Sequence, residues 1–143
     1  MKEFLLRKFE IEYHAIQALI RCIETQEDEV PQFCINGICH MINSHHIWNS
    51  RLNAIPPESN EWDVFPIHYL EKLNQQNHRE TCDFLEKQDL NNAIDSPSNL
   101  PKSAADILFH LLQHAAYHRG QIIYALKMSG LKYPQFGLTP LED

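Results

Sequence analysis

Glycine is scarce in this chain, with only 4 among 143 residues. So few glycines disfavour a turn-rich β protein and favour long helices. The sequence also has no run of 18 apolar residues, so no membrane-spanning helix is expected. Its charged first residues, "MKEFLLRKFEIEYH", lack the apolar core of a signal peptide. These absences indicate a helical, cytoplasmic protein with no membrane partner.

A basic stripe and closely paired cysteines are also missing. The chain has 12 Lys and Arg against 19 Asp and Glu, a formal net charge of −7. This balance excludes a nucleic-acid partner held mainly by phosphate contacts and favours attraction of a cation. Cys22, Cys34, Cys39 and Cys82 form no CxxC pair and no disulfide framework. We therefore expect them to be small buried hydrophobic residues.

Four segments carry apolar residues at three- and four-residue steps, a spacing typical of amphipathic helices. Ser103 and Asp106 resemble a capping box at the start of the last segment, and Gly130 is suited to end it. The predicted helices run from about Lys2 to Gln26, from Pro31 or Asn36 to Ala54, from Ile67 to Lys87 and from Ser103 to about Ser129.

Four such helices without predicted strands indicate an all-α protein, a four-helix bundle that forms a single domain over residues 1–143. The connection "PPESNEWDVFP" is long for a helical hairpin and suits a crossover between parallel neighbours. The tail "LKYPQFGLTPLED" is expected to pack on the bundle in an extended form. Asn74, Asn77 and Thr81 interrupt the apolar stripe of the third helix, so they either line a polar pocket or mark a narrow stripe.

The stretch "HLLQHAAYHRGQ" places His110, His114 and His118 four residues apart. Neighbouring members of such a series can share one metal ion, but the outer two lie about 12 Å apart along the axis. The apolar stripe puts His114 and His118 at the edge of the buried face and turns His110 toward water or a neighbouring subunit. The spacing suits zinc, nickel, copper or iron, yet chance placement on a helix surface explains it equally well. Ala115 excludes an HExxH protease.

A third ligand must come from another helix, because catalytic metal sites commonly use three protein ligands and keep one open position. The second helix, "ICHMINSHHIWNSRL", offers His40, His45 and His46. The helical wheel makes His45 the most buried and puts His40 on the flank of the apolar face. A histidine beside an apolar face is more often a hydrogen-bonded core residue, so periodicity leaves the third ligand open.

Taken together, "CHMINSHHIWNSRL" and "HLLQHAAYHRGQI" resemble the motifs of the DinB/YfiT-like superfamily of damage-inducible metal-binding proteins. The resemblance covers nearly the whole chain, including the long second connection and the proline-containing tail after "MSG". It implies a four-helix bundle of up-down-down-up topology with a metal held by His40, His114 and His118. The resemblance thus favours His40, and leaves His45 as a packing or supporting residue.

The resemblance also implies a function, because members with assigned activity are thiol-dependent transferases or isomerases. We therefore expect a metal-dependent transferase that activates a low-molecular-weight thiol toward a small-molecule substrate. Zinc or nickel is the expected metal, and a homodimer is the expected assembly. A rival hypothesis is a non-catalytic metal- or ligand-binding stress-response protein, and a third is a structural dimer without metal.

Residues around the second helix-four ligand have structural interpretations as well. Arg119 is expected to form a salt bridge. The alternative is that Arg119 and Gln121 contact an anionic substrate. Gly120 is expected to permit close helix packing, since glycine inside a helix costs about 1 kcal/mol. Tyr117 and His110 are expected at the surface or at an interface.

Overall fold

The computed structural model describes residues 1–95 and 102–135. Its helices are α1 (Lys2–Glu24), α2 (Gln32–Leu52), α3 (Ile67–Lys87) and α4 (Ala104–Met128). Each helix ends within two residues of the predicted bound, and α2 starts beside Pro31. None of the helices in the described ranges is long and apolar enough to cross a membrane.

The helices pack as a bundle in which α1 lies against α3 and α4, and α2 lies against the same two helices. Buried apolar side chains form two clusters, one around Ile20, Ile38 and Leu126 and the other around Phe84 and Leu108. Full burial of one such side chain contributes about 1.5–3 kcal/mol. The predicted all-helical bundle is thus confirmed at the level of its helices and their packing.

A short strand pair was not expected from the sequence. Ala93–Ile94 (β1) pairs antiparallel with Lys102–Ser103 (β2) beside the start of α4. The Ala104 N–H also donates to the Asn92 carbonyl at 2.9 Å, so this connection satisfies backbone groups that α4 leaves free. Strands of two residues carry no periodicity, which is why the apolar pattern did not reveal them.

Both ends of α4 have the predicted capping. The Ser103 hydroxyl accepts from the Asp106 N–H, and the Asp106 carboxylate accepts from the Ser103 N–H at 2.9 Å. At the other end Gly130 has a φ of 70°, and the Leu131 N–H donates to the Leu126 carbonyl at 3.0 Å. This pattern is a Schellman cap, which glycine adopts without steric cost.

The described part of the tail packs on the bundle, as expected. Leu131 and Tyr133 contact the apolar cluster around Ile20, and the Lys132 carbonyl accepts from Gln26 Nε2 at 2.6 Å. The rest of the predicted tail, residues 136–143, lies outside the described residues.

All four cysteines are free, in agreement with the sequence. Cys34 and Cys39 are buried, whereas Cys22 and Cys82 are half-buried. Burial is the main cause that raises the pKa of each thiol above its ordinary value. The buried pair therefore acts as small apolar residues, as predicted.

The three polar residues in the apolar stripe of α3 serve mainly as links between helices. All three are buried. Asn77 Nδ2 donates to the Ile42 carbonyl at 3.0 Å, and the Thr81 hydroxyl donates to Asn49 Oδ1 at 2.9 Å. Asn74 donates to a backbone carbonyl of α1 and also lines a narrow cavity. Asn77 lines a separate pocket together with Asn43 and Ser59. The polar-pocket hypothesis thus holds for Asn74 and Asn77, whereas Thr81 lines neither of these two cavities.

His45 completes this network from α2. Its Nε2 donates to the Thr81 hydroxyl at 2.7 Å, because the Thr81 proton is already given to Asn49. Burial, with smaller contributions from His78 and His46, lowers the pKa of His45 to about 3. The ring is therefore neutral in the folded protein near pH 7.

α2 packs tightly on α4 at Gly37. A Cβ at this position would lie 3.1 and 3.2 Å from the side chain of Ile122. Gly120, which was expected to permit close packing, is exposed, and a Cβ there would meet nothing within 4 Å. The expectation for Gly120 was wrong because Gly120 and Ile122, two residues apart, face opposite sides of α4.

Alanine at the two glycines should have different effects on stability. Gly120→Ala is expected to raise the free energy of unfolding by about 0.5–1 kcal/mol, since alanine favours the helix and finds open space. Gly37→Ala is expected to gain less or to lose stability, because its methyl group must displace Ile122. Urea unfolding of both variants measures this difference. Equal stabilisation would contradict a tight α2–α4 contact at Gly37.

The neutral His45 predicts a pH dependence of stability. An unfolded histidine binds a proton below about pH 6.5, whereas the folded ring resists it until about pH 3. The contribution of His45 to the free energy of unfolding is therefore complete above about pH 6.5. Below that pH this contribution falls by up to about 1.4 kcal/mol per pH unit. His45→Gln keeps a donor for Thr81 and should flatten the fall by about that slope between pH 5.5 and 4.5, measured by urea unfolding with chelator present. Unchanged slopes would refute this assignment.

Candidate metal centre

Three predicted ligands converge between two helices. α2 supplies His40, and α4 supplies His114 and His118. His114 Nε2 lies 3.2 Å from His40 Nε2 and 3.1 Å from His118 Nε2. One ligand atom from each of the three side chains lies within 4.8 Å of the other two. Packing of α2 on α4 thus joins residues that are 74 positions apart in the chain.

The first histidine of the α4 series stays outside this group. His110 is exposed, and its ring centroid lies 5.9 Å from that of His114 and 6.0 Å from that of Trp48. The rise of about 1.5 Å per residue separates it too far from His118 for a shared ion. The structure therefore agrees with the sequence-based choice of the later pair.

The helical wheel chose the wrong histidine on α2 as the most buried. His40 is only 2% exposed, whereas His45 is partly buried and its ring bonds to Thr81. The wheel failed because residues 58–65 of the connection after α2 cover a further side of that helix. His46, for example, accepts from the Glu58 N–H at 3.0 Å.

The same connection orients the His40 ring. His40 Nδ1 donates to the Glu61 carbonyl at 3.2 Å, and the Trp62 ring stacks on the imidazole at a centroid distance of 3.9 Å. A carbonyl only accepts, so the proton sits on Nδ1 and the Nε2 lone pair faces His114. The Glu61 carboxylate lies 3.9 Å from the same Nδ1. Such outer partners commonly fix the ring of a metal-binding histidine.

The helix-four imidazoles have the electrostatics of metal ligands. The pKa of His114 is lowered to about 4. Burial is the main cause, and the neighbouring His118 and His40 make smaller contributions. Burial is also the largest cause that lowers the pKa of His118, and the charge of His40 lowers this pKa further. His118 Nδ1 lies 3.1 Å from Gln121 Oε1, which holds this nitrogen as the donor and turns Nε2 inward. Both rings are therefore neutral near pH 7, the form that binds a metal.

Convergence of the Nε2 atoms leaves hydrogen bonding incomplete. His114 Nε2 contacts two other ring nitrogens, and one proton on it can serve only one of them well. A cation at the meeting point would satisfy all three lone pairs. Tetrahedral zinc with ligands at 2.0–2.1 Å separates two nitrogens by about 3.3 Å, close to the observed 3.1 and 3.2 Å. The three histidines can thus hold a divalent ion.

Arg119 lies beside the triad but faces the interior. Its Nη2 lies 3.2 Å from Glu12 Oε2, and both side chains are buried. Burial raises the Glu12 pKa, and the guanidinium of Arg119 opposes this shift. The expected salt bridge is confirmed, and it ties α4 to α1. Tyr117 is exposed, as expected, with its ring edge-on to His118 at 5.1 Å.

Sequence reasoning had not identified three groups that shape the site. Trp62 and Glu61 lie in the connection that the sequence predicted only as a crossover, and Gly37 was not singled out. A backbone carbonyl and a close helix contact leave no signal in composition or periodicity. Trp62 in a polar segment beside a histidine-rich helix was the one available sign.

Comparison with known proteins identifies the family. Residues 23–143 match the family model described as the DinB family. The crystal structure of a DinB-like protein from Bacillus cereus superposes with a TM-score of 0.76 at 16% identity, covering 94% of this chain and 97% of that one. This likeness shows a shared fold. No curated protein matches the chain. With most of its length matched by the family model, the chain belongs to the DinB family.

Proposed function

We propose that this protein binds one divalent metal ion, zinc or nickel, through His40, His114 and His118. The observation that carries the proposal is the meeting of three imidazoles, with His114 Nε2 at 3.1–3.2 Å from the other two Nε2 atoms and with the outer nitrogens of His40 and His118 held by Glu61 and Gln121. Three neutral imidazoles suit either metal. Membership of the DinB family supports the same ligand set, which the resemblance had implied.

We further propose that the protein is a transferase that joins a low-molecular-weight thiol to a small-molecule electrophile. A divalent ion with three protein ligands and one open position lowers the pKa of a bound thiol, which supplies thiolate at neutral pH. Trp62 and Tyr117 flank the triad and are 61% and 64% exposed, so their rings offer apolar surface to a substrate. Glu61 and Gln121 keep the rings of His40 and His118 in place during turnover.

Several features of the assembly are part of the same proposal. Contact of Lys2 with Glu86 and of Arg21 with Glu71 supports antiparallel α1 and α3, and the bond between Cys22 and the Lys132 carbonyl supports parallel α1 and α4. With the crossover after α2, these contacts favour up-down-down-up topology.

We propose a single domain that works as a homodimer in the cytoplasm.

Metal content tests the proposed centre. Untagged protein incubated with zinc or nickel is expected to retain metal, and His114→Ala or His118→Ala should each hold about one equivalent less, because two imidazoles bind far more weakly than three. His110→Ala is the matched control from the same helix and should keep the wild-type content. Elemental analysis after dialysis gives the result. Wild-type protein that retains no metal would rule out the centre and the enzyme together.

Thiol consumption separates the enzyme from the non-catalytic alternative. Metal-loaded wild-type protein with glutathione or bacillithiol and an electrophilic bimane dye should deplete free thiol faster than metal-free protein or His118→Ala. His110→Ala should match the wild type. Thiol that binds to the metal-loaded protein without any accelerated depletion, across both thiols, would favour a metal- or ligand-binding stress-response protein instead.

A further inference from the structure

A second group of metal-binding side chains lies on the α1–α3 side of the bundle. We name it the α1–α3 cluster: Glu10 and His14 on α1, with His78 and Cys82 on α3. Each helix contributes two residues spaced by four positions, so each pair lies on one helix face. None of the four belongs to the histidine triad, whose ligands come from α2 and α4.

The four side chains are already connected by short contacts. Glu10 Oε1 lies 2.9 Å from His14 Nε2, and Glu10 Oε2 lies 2.8 Å from His78 Nε2. Cys82 Sγ lies 3.6 Å from the same His78 nitrogen. The carboxylate therefore accepts from two imidazoles, while the thiol approaches one of them. Glu10 joins the two helices at the centre of this arrangement.

The donor atoms form a chain rather than the compact group of the triad. His78 is the fixed member, because its ring stacks on Tyr13 at a centroid distance of 4.6 Å and is only 16% exposed. Glu10 and His14 are 48% and 44% exposed, so their side chains can rotate toward His78 without breaking buried packing contacts. The four donors do not yet surround one point, so a shared ion requires Glu10 and His14 to turn toward His78 and Cys82.

Local charge favours a cation at this place. Burial raises the pKa of Glu10, but hydrogen bonds and charge from His14 and His78 outweigh it, so the net pKa is lowered and the carboxylate is ionised. Burial raises the pKa of Cys82, and the carboxylates of Glu10, Glu86 and Asp83 raise it further. These carboxylates make the surroundings of the sulfur negative, which a divalent ion would offset.

We propose that the α1–α3 cluster is a second divalent-metal site, with zinc as the cation that best fits its donors. Two imidazoles, one thiolate and one carboxylate form a ligand set typical of tetrahedral zinc, and ligand distances of 2.3 Å to sulfur and 2.0–2.1 Å to nitrogen separate these atoms by about 3.6 Å. His78 Nε2 and Cys82 Sγ lie at that separation. The ion displaces the thiol proton to solvent, each ligating imidazole carries its one remaining proton on Nδ1 instead of Nε2, and no electron transfer is involved.

Such a site would clamp α1 to α3 and stabilise the fold by binding the folded state alone. It does not depend on the proposed transferase activity, because the two sites share no residue. A failure of one proposal therefore leaves the other intact.

Cobalt(II) distinguishes this cluster from the triad, since only a thiolate ligand produces a sulfur-to-cobalt charge-transfer absorption. Reduced wild-type protein titrated with cobalt should develop this near-ultraviolet absorption. Cys82→Ser should abolish it, whereas Cys22→Ser, which changes another half-buried cysteine, should retain it. His14→Ala should weaken cobalt binding at this band by at least about tenfold, because one of four ligands is lost. Helical circular dichroism of each variant verifies that the fold is kept.

Two results would overturn the second site. One is the absence of the thiolate absorption in wild-type protein at excess cobalt. The other is an absorption that persists in Cys82→Ser, which would assign it to another cysteine. Zinc content provides an independent check: folded Cys82→Ser should hold about one equivalent less than Cys22→Ser after dialysis, and equal content would also contradict the site.

Discussion

The close contact of α2 with α4 at Gly37 and Ile122 is the constraint on which the histidine triad depends. Gly37 lies three residues before His40, and Ile122 lies four residues after His118, so this contact is about one helical turn from the converging nitrogens. Metal ligands must be placed to within about 0.2 Å. A larger side chain at position 37 would have to displace Ile122, and any shift of α2 against α4 that results would act on the triad without touching a histidine.

The connection after α2 acts on the same histidine from the opposite side. Asn43 Nδ2 donates to the Asp63 carbonyl at 2.8 Å, and the Ser59 hydroxyl donates to Asn43 Oδ1 at 2.8 Å. These bonds hold residues 59–63 against α2 and so hold Glu61 and Trp62 beside His40. The length of this connection therefore has two consequences: it spans between helices, and it supplies the partner that fixes the imidazole.

The sequence predicted the helices and the shared position of His114 and His118 well because both depend on local geometry. Spacing of four residues decides that His114 and His118 share a side, and axial rise decides that His110 does not join them. The choice of His40 came from resemblance to a family and not from the wheel. α2 contacts two helices and the connection, so it buries polar residues of its own, such as Asn43 and Asn49. No single apolar stripe therefore marks its interior face. Gly37 could not be predicted because its role depends on where Ile122 lies in space.

The histidines of the triad and those of the α1–α3 cluster hold their protons differently, and the difference should order their affinity for metal. At the triad, burial disfavours the charged form of His114 and His118, because charged imidazoles are poorly solvated there. At the α1–α3 cluster, His14 and His78 use their ring protons to bond Glu10, and the Cys82 thiol keeps its own. A metal ion at the proposed α1–α3 site must displace those protons before it binds, whereas at the triad the Nε2 lone pairs of His40 and His118 already face inward. Of the two proposed sites, the triad should therefore fill first when metal is scarce and should keep its ion longest as the pH is lowered.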